Sequence, residues 1–323
     1  MPPRQLLPLK AVFLLVSTGF FLPEARPEKL SAPPAAFAVL EQIYSGDTQS
    51  ALESAHRMQQ ERPDHPLGYL LEGEALWWQI WCKSAEFRWG MTEPRRRSRL
   101  PSDQHFLELA TRVSQLANAQ LKQHETSEMH FYTAMGDAMA ARLYGLLGEN
   151  RNIARAGVRA RDHFIHALAL DPDLADADLG LGLYNYYVDT LSAAAKFLRF
   201  FMGIPGGSKQ DGIRQLQHAI SDGVLTSDMA RFYLAVNLHH YDQRYEQALA
   251  VITPLIEKYP SNPLFQLARG DLLAKLGRKE QALECYRAAQ ATQIRDPECA
   301  ARIQGLVRAS LAALGVSSGS PVS

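Results

Sequence analysis

The sequence predicts an all-α protein, an α-solenoid of about six antiparallel helix pairs with two insertions and a C-terminal capping helix. Beyond residue 35, apolar residues recur at spacings of three and four, which is typical of amphipathic helices, and strand-like alternation is almost absent. Two C-terminal segments repeat one pattern, with 34 residues between Ala248 and Ala282. A repeat of this length indicates stacked helix pairs, because each pair buries its apolar face against the next.

The composition indicates a folded protein without a nucleic-acid partner. The chain has 323 residues, 46% of them hydrophobic, which is enough apolar material for a sizeable core and too much for a disordered protein. Its 34 basic and 34 acidic residues give a formal net charge of zero. Because nucleic-acid binding depends on an excess of positive charge, we expect no DNA or RNA partner.

The N-terminus predicts export. Arg4 and Lys10 precede residues 11–22, an uncharged apolar run of the length found in secretory signal peptides. An uncleaved N-terminal membrane anchor is the alternative, although the run is shorter than the ~20 residues of a membrane helix. We therefore expect an exported, periplasmic protein. The predicted parts are a signal peptide at 1–25, a linker at 26–34, the solenoid at 35–314 and a flexible tail at 315–323.

The last repeat unit carries a characteristic set of residues. Gly270 lies in the middle of its first helix, Ala282 lies early in its second helix and Tyr286 follows, while Pro260 ends the preceding unit. This pattern resembles the tetratricopeptide repeat. In that family, small residues let two helices approach closely, the large side chain fills the gap to the next pair, and proline ends the helix. The resemblance implies a scaffold that binds a protein or peptide partner. The chain also looks like an uncharacterised group of exported bacterial proteins of this family.

The same pattern extends upstream, with more variation. Each earlier pair places small residues on its helices and a proline, glycine or aspartate in its turns. The predicted units lie, in order, at residues 35–63, 66–123, 128–172 and 180–222, and residues 297–314 form the capping helix.

Two segments depart from the repeat. Residues 77–101 overrun a first helix and end in a basic loop, and residues 191–209 interrupt the fourth unit with an apolar helix and a Gly-Pro turn. We expect the aromatic residues of the first segment to form core rather than a ligand cage: Trp77, Trp78, Trp81, Phe87 and Trp89. Its arginines either form a solvated loop or contact anionic lipid headgroups. The apolar insert either packs across the groove or docks on a partner or a membrane surface.

No motif for catalysis or metal binding is evident. His163 and His166 are three residues apart, whereas a helix-borne zinc pair needs four-residue spacing or a third ligand. We therefore predict no enzymatic activity, cofactor, metal or small-molecule substrate. Cys82 is expected to be a buried apolar side chain. Cys285 and Cys299 lie on neighbouring helices and are the candidates for a disulfide bond after export.

The concave face, formed by the first helix of each pair, is the predicted binding surface. Extended peptides or partner helices usually lie along this face of a solenoid, and tyrosines there supply rigid contact area with a polar tip. The predicted partner-binding residues are Tyr186, Tyr187, Tyr233, Asn237, His240, Tyr241, Asp271 and Lys275.

These patterns together predict a non-catalytic scaffold that binds a protein or peptide in the cell envelope through its concave face. The alternative is a membrane-associated adaptor that uses the apolar insert at 191–206 and the loop of Arg95, Arg96, Arg97 and Arg99.

Overall fold

A computed structural model describes residue 30 and residues 32–316. The predicted signal peptide lies outside the described residues, as do most of the predicted linker and tail. The described part contains fourteen helices and one two-stranded antiparallel sheet.

The helices form six consecutive antiparallel pairs, as predicted. Numbered in chain order, the pairs are α1 (Pro34–Tyr44) with α2 (Thr48–Glu61), α3 (Pro66–Ser84) with α4 (Ser102–Leu121), α5 (Ser127–Leu147) with α6 (Asn150–Leu170), α7 (Asp176–Thr190) with α9 (Lys209–Asp222), α10 (Ser227–His240) with α11 (Tyr245–Lys258), and α12 (Pro263–Lys275) with α13 (Lys279–Ala291). The helix α8 (Ala193–Phe201) lies in the second insertion, and α14 (Pro297–Ala313) caps the C-terminus. The predicted all-α solenoid is confirmed.

Local sequence explains where the helices begin. The Asn262 side chain accepts hydrogen bonds from the amides of Leu264 and Phe265 at the start of α12, and Asp296 caps α14 in the same way. Both helices then carry a proline in the first turn, where the missing amide proton costs no intrahelical bond.

Close helix approach at glycine sets the spacing within the last pair, at Gly270, and between two pairs, where Gly180 on α7 faces Phe164 on α6. A Cβ atom on Gly270 would lie 2.5 Å from Cε1 of Tyr286, and one on Gly180 would lie 1.9 Å from Cε2 of Phe164. Any side chain at either position would therefore collide with the aromatic ring on the neighbouring helix. The close approach predicted at Gly270 is confirmed, whereas the Tyr286 ring, predicted to fill the gap to the next pair, packs on Gly270 within its own pair.

The solenoid curves until its two ends meet. The Trp78 ring on α3 lies 4.8 Å from that of Phe232 on α10 and 5.4 Å from that of Phe265 on α12 (centroid distances). The Asn262 side chain donates a 2.9 Å hydrogen bond to the carbonyl of Tyr44 on α1. The concave interior is consequently filled by aromatic side chains of the protein itself.

The aromatic cluster is therefore core, with one exception. Trp77, Trp78 and Trp81 are buried, and Phe87 packs against the core. Trp89 is 77% exposed, so the prediction of a core position was wrong for this residue.

The same closure determines the disulfide. Cys82 on α3 is bonded to Cys299 on α14, and Cys285 is a buried free thiol. The candidate pair Cys285 and Cys299 is therefore not bonded, and Cys82, expected to be a buried apolar side chain, is buried but forms the disulfide. The capping helix α14 packs on α3 as well as on α13. The bond therefore joins positions that are 217 residues apart in the sequence.

The first insertion contains a hairpin that the sequence analysis did not predict. Strand β1 (Ala85–Arg88) pairs antiparallel with β2 (Met91–Pro94), with Arg88 opposite Met91. The two-residue turn has positive φ at both positions, 51° at Trp89 and 75° at Gly90. This geometry matches the tight turns that join twisted strands.

Candidate partner-binding surface

Both insertions leave the solenoid at one edge, where the first helices of the pairs end. The first insertion follows α3 and the second follows α7. The main-chain amide of Arg97 donates a 3.1 Å hydrogen bond to the carbonyl of Leu146 near the end of α5. The Tyr187 ring, near the end of α7, lies 5.9 Å from the Tyr241 ring, at the end of α10. We call this edge, with Trp89, Tyr187, His240, Tyr241 and Lys275, the rim.

The hairpin covers the C-terminal part of the concave face. The amide of Thr92 donates a 2.7 Å hydrogen bond to Oδ2 of Asp271 on α12, and the Tyr286 hydroxyl donates a 2.8 Å bond to Oδ1. Burial raises the pKa of the Asp271 carboxyl group to about 7. Lys275 Nζ donates to the carbonyl of Trp89. The hairpin thus occupies part of the face predicted for a partner.

A second contact joins the hairpin to the end of α10. His240 Nδ1 lies 2.9 Å from Glu93 Oε1, and His239 Nδ1 lies 3.5 Å from the same oxygen. Burial alone would raise the pKa of Glu93, but the hydrogen bond from His240 and the neighbouring histidine and arginine charges bring it below its usual value. The same bond raises the pKa of His240, whereas burial lowers the pKa of His239 to about 4. Of the two histidines, His240 is therefore the one whose protonated form this contact favours.

Tyr186, Tyr187 and Tyr241 form a ring cluster. The Tyr186 ring centroid lies 6.2 Å from that of Tyr187 and 6.0 Å from that of Tyr241. The buried Tyr186 hydroxyl donates a 2.7 Å hydrogen bond to Oδ2 of Asp242, which also pairs with Lys209. Tyr187 is half-buried, and Tyr241 is 45% exposed. Tyr186 fixes the cluster to the solenoid, and the other two tyrosines reach the surface.

Tyr233 and Asn237 lie deeper in the concave interior. The Tyr233 hydroxyl lies 3.5 Å from Nη1 of Arg142, whose Nη2 pairs with Glu74 at 2.7 Å. Asn237 is fully buried, and neither atom of its side-chain amide makes a hydrogen bond of good geometry, although the amide lies close to the Tyr187 hydroxyl. Both residues are enclosed by the protein.

The structure brings all eight predicted residues into one region, but it exposes only some of them. His240, Tyr241 and Lys275 are exposed and Tyr187 is half-buried. The buried residues are Tyr186, Tyr233, Asn237 and Asp271. The partner-binding role of the eight stays a prediction, and only the exposed and half-buried residues are accessible in this conformation.

Trp89 is a rim residue that the sequence analysis assigned to the core. The guanidinium carbons of Arg95 and Arg88 lie over its ring, 4.7 and 5.4 Å from the ring centroid. Its left-handed backbone conformation, φ 51°, costs on the order of 1 kcal/mol for a residue with a side chain. The hairpin therefore presents a large aromatic side chain to solvent at an energetic cost. Gly90 was the available signal for the turn, because glycine readily adopts a positive φ.

The arginine run separates into two groups. Arg97 pairs with Asp103 at 2.7 Å, and Arg99 pairs with Glu149 at 2.6 Å. Within residues 32–316, Arg95 and Arg96 have no carboxylate at ion-pair distance. Of the latter two, Arg96 is exposed, and Arg95 is half-buried with its Nε and Nη2 enclosed by the protein.

The second insertion does not pack across the groove. The large apolar side chains of α8 and its end are exposed: Phe197, Leu198, Phe200, Phe201 and Met202. Of the helices that the structure describes, none is long and apolar enough to cross a membrane.

The paired histidines of α6 take part in a side-chain cluster. His163 Nδ1 lies 2.8 Å from Nδ1 of His130, and the His166 ring stacks on His130. Among the described residues, no group of three or more histidine, cysteine or acidic side chains is placed to hold a metal ion.

A comparison with protein families agrees with the helix pairs. Residues 229–297, which contain most of α10 and all of α11–α13, match the family model of the tetratricopeptide repeat. The preceding pairs continue the same architecture of packed antiparallel helices. The match to the tetratricopeptide repeat is thus shown for residues 229–297.

Proposed function

We propose that this protein is a non-catalytic scaffold of the cell envelope that binds a protein partner at the rim of its concave face. Tetratricopeptide repeats generally mediate protein–protein interaction, and residues 229–297 match that family. The observation that carries the proposal is the exposure of Trp89 and Tyr241 at an edge where the interior is already filled. Aromatic side chains of this kind often anchor protein interfaces.

The charges at the rim favour a partner with acidic residues. Arg88 and Arg95 stack on Trp89, and Arg96 lies nearby on the same segment. None of the three makes an ion pair within residues 32–316. A segment that combines carboxylates with apolar side chains would complement both the arginines and the aromatic rings.

The disulfide supports a location in the cell envelope. Bonds such as Cys82–Cys299 persist in oxidising compartments and are rare in the cytosol. This observation agrees with the signal peptide expected at residues 1–25.

The alternative, a membrane-associated adaptor, has support from one of its two elements. Two of the four arginines of the loop form ion pairs within the protein, Arg97 with Asp103 and Arg99 with Glu149. The apolar insert remains as an exposed surface.

An affinity purification tests the proposal. Wild type and a Trp89→Ala, Tyr241→Ala double variant are immobilised and exposed to an envelope extract, and the bound proteins are quantified by mass spectrometry. The matched control, Ile165→Ala with Leu170→Ala, removes two exposed apolar side chains from α6, away from the rim. We expect a partner that binds wild type and the control and is lost from the rim variant. A partner retained equally by all three proteins would contradict binding at the rim.

A further inference from the structure

The helix α8 presents its apolar side chains to solvent. The exposed fractions are 67% for Phe197, 58% for Leu198, 75% for Phe200, 68% for Phe201 and 57% for Met202. No residue of this helix is buried. Contiguous exposure of large apolar side chains marks a surface that contacts another molecule or a membrane.

The basic residues of the insert are turned toward the protein. Lys196 Nζ pairs with Asp189 at 2.8 Å, and the other oxygen of Asp189 accepts the main-chain amide of Lys209 at 2.9 Å. Arg199 Nη1 donates a 2.8 Å hydrogen bond to the carbonyl of Ile204. Lys196 is therefore paired with a carboxylate and Arg199 is half-buried against a carbonyl, and the outward surface of α8 is apolar.

The insert is also anchored at its far end. The Tyr184 hydroxyl donates a 2.8 Å hydrogen bond to the carbonyl of Pro205. Together with the Asp189 contacts, this bond fixes both ends of the insert to α7. The apolar side chains are thus held outward by the fold.

The apolar surface of α8 is wide around the helix, which favours contact with lipid over packing on one face of a protein. At about 100° per residue, the four side chains of α8 and Met202 just after it cover an arc of about 200°, twice the roughly 100° that is the lower limit for a stripe that packs on one protein face. A nine-residue helix is only about 14 Å long, far short of the ~30 Å of a bilayer core. An arrangement of this kind suits a helix that lies in the plane of the membrane interface.

We propose that α8 inserts into the interface of a lipid bilayer and that its affinity comes from apolar burial rather than from anionic headgroups. The inference is independent of the partner surface at Trp89 and Tyr241. It assigns the second insertion a membrane-surface contact in which the pairs Lys196–Asp189 and Arg199–Ile204 stay intact.

Vesicle flotation of the purified chain tests the lipid chemistry. Vesicles of neutral phosphatidylcholine are compared with vesicles that contain phosphatidylglycerol, each at low and high salt. We expect wild type to float with both vesicle types to within about twofold, at both salt concentrations, because screening weakens charge contacts but not apolar burial. Absence of flotation with either vesicle type overturns the proposal. Flotation that requires anionic lipid and is lost in salt overturns it as well.

A matched pair of variants locates the contact. Phe197→Ser with Phe201→Ser removes two rings from α8, and Ile165→Ser with Leu170→Ser makes the same chemical change on exposed residues of α6. We expect at least a tenfold fall in the vesicle partition coefficient for the α8 variant and no change for the control. Unchanged melting temperatures would show that both variants fold, as expected for exposed side chains. Equal flotation of both variants and wild type would overturn the assignment to α8.

The competing possibility is that α8 docks in a groove of a partner protein. It is indicated if wild type fails to float while the α8 variant alone loses a partner from envelope extract. That combination overturns the lipid proposal.

Discussion

The amide nitrogen of Thr92 lies 2.7 Å from a carboxyl oxygen of Asp271, which joins the first insertion to a helix 179 residues later in the chain. Asp271 is fully buried and also accepts the Tyr286 hydroxyl. The hairpin is thereby built into the concave face, and this arrangement moves the accessible surface outward to the rim.

Asp271 should make the protein less stable as pH rises. Its pKa is about 7 in the folded chain, against about 3.9 for an unfolded aspartate, so the native state holds a proton that the unfolded state has lost between pH 4 and 7. Stability then falls by up to about 1.4 kcal/mol per pH unit in that window. We expect Asp271→Asn to be less stable than wild type at pH 5 and to have a shallower fall toward pH 7.5. Urea unfolding at both pH values measures the free energy of unfolding of each protein. An equal decrease in wild type and in the variant between the two pH values would contradict the role of Asp271.

Glu93 should control the protonation of His240. The bond between them raises the pKa of His240, so this contact stabilises the fold below the ordinary histidine pKa of about 6.5 and is lost as pH rises through the folded value. We expect Glu93→Gln to lower the pKa of His240, as measured by NMR titration. The pKa of His65, which lies outside this contact, should stay near 4 in both proteins. An unchanged His240 titration would show that the contact is absent in solution.

The disulfide should contribute to closure of the solenoid. Replacing Cys82 and Cys299 by serine removes a link across 217 residues and should cost about 2–5 kcal/mol, seen as a lower melting temperature. Cys285→Ser, which changes a buried but unpaired thiol, is the control and should cost less. A reducing agent should lower the melting temperature of wild type and leave the double variant unaffected. Equal melting of the double variant and wild type would rule out this contribution.

The buried ion pair of Arg142 and Glu74 should be more important for stability than an exposed one. Glu74→Ala leaves the Arg142 guanidinium buried without its carboxylate partner at 2.7 Å, which should cost about 3–5 kcal/mol. Glu246→Ala breaks a pair of the same length with Arg278 at the surface and should cost less than about 1 kcal/mol. Chemical denaturation of the two variants compares them directly. Similar losses would contradict the buried placement of Arg142.

The repeat architecture was predictable because its causes are local. Gly270, Ala282 and Tyr286 act within one helix pair, and their spacing repeats along the chain. The capping helix and the apolar character of α8 were equally visible, since both depend on runs of neighbouring residues.

The closure of the solenoid was not predictable from the sequence because it results from small rotations that add up from one helix pair to the next. The contact of Trp78 with Phe265 depends on small rotations between all the intervening helices. The Cys82–Cys299 bond and the burial of Asn237 follow from that closure. The hairpin was missed for a different reason: each strand has four residues, too few to establish an alternating pattern.

Hydrogen exchange at the Thr92 amide tests the central claim most directly, namely that the hairpin fills the concave face and leaves the rim for a partner. The bond to the buried Asp271 predicts strong protection in the isolated protein, at least about a thousandfold, together with slow exchange of the amides in β2. Arg88 and Gly90 near the exposed turn should be less protected. Exchange of the Thr92 amide near the rate of an unstructured peptide would contradict the account, because it would mean that the hairpin leaves the concave face open.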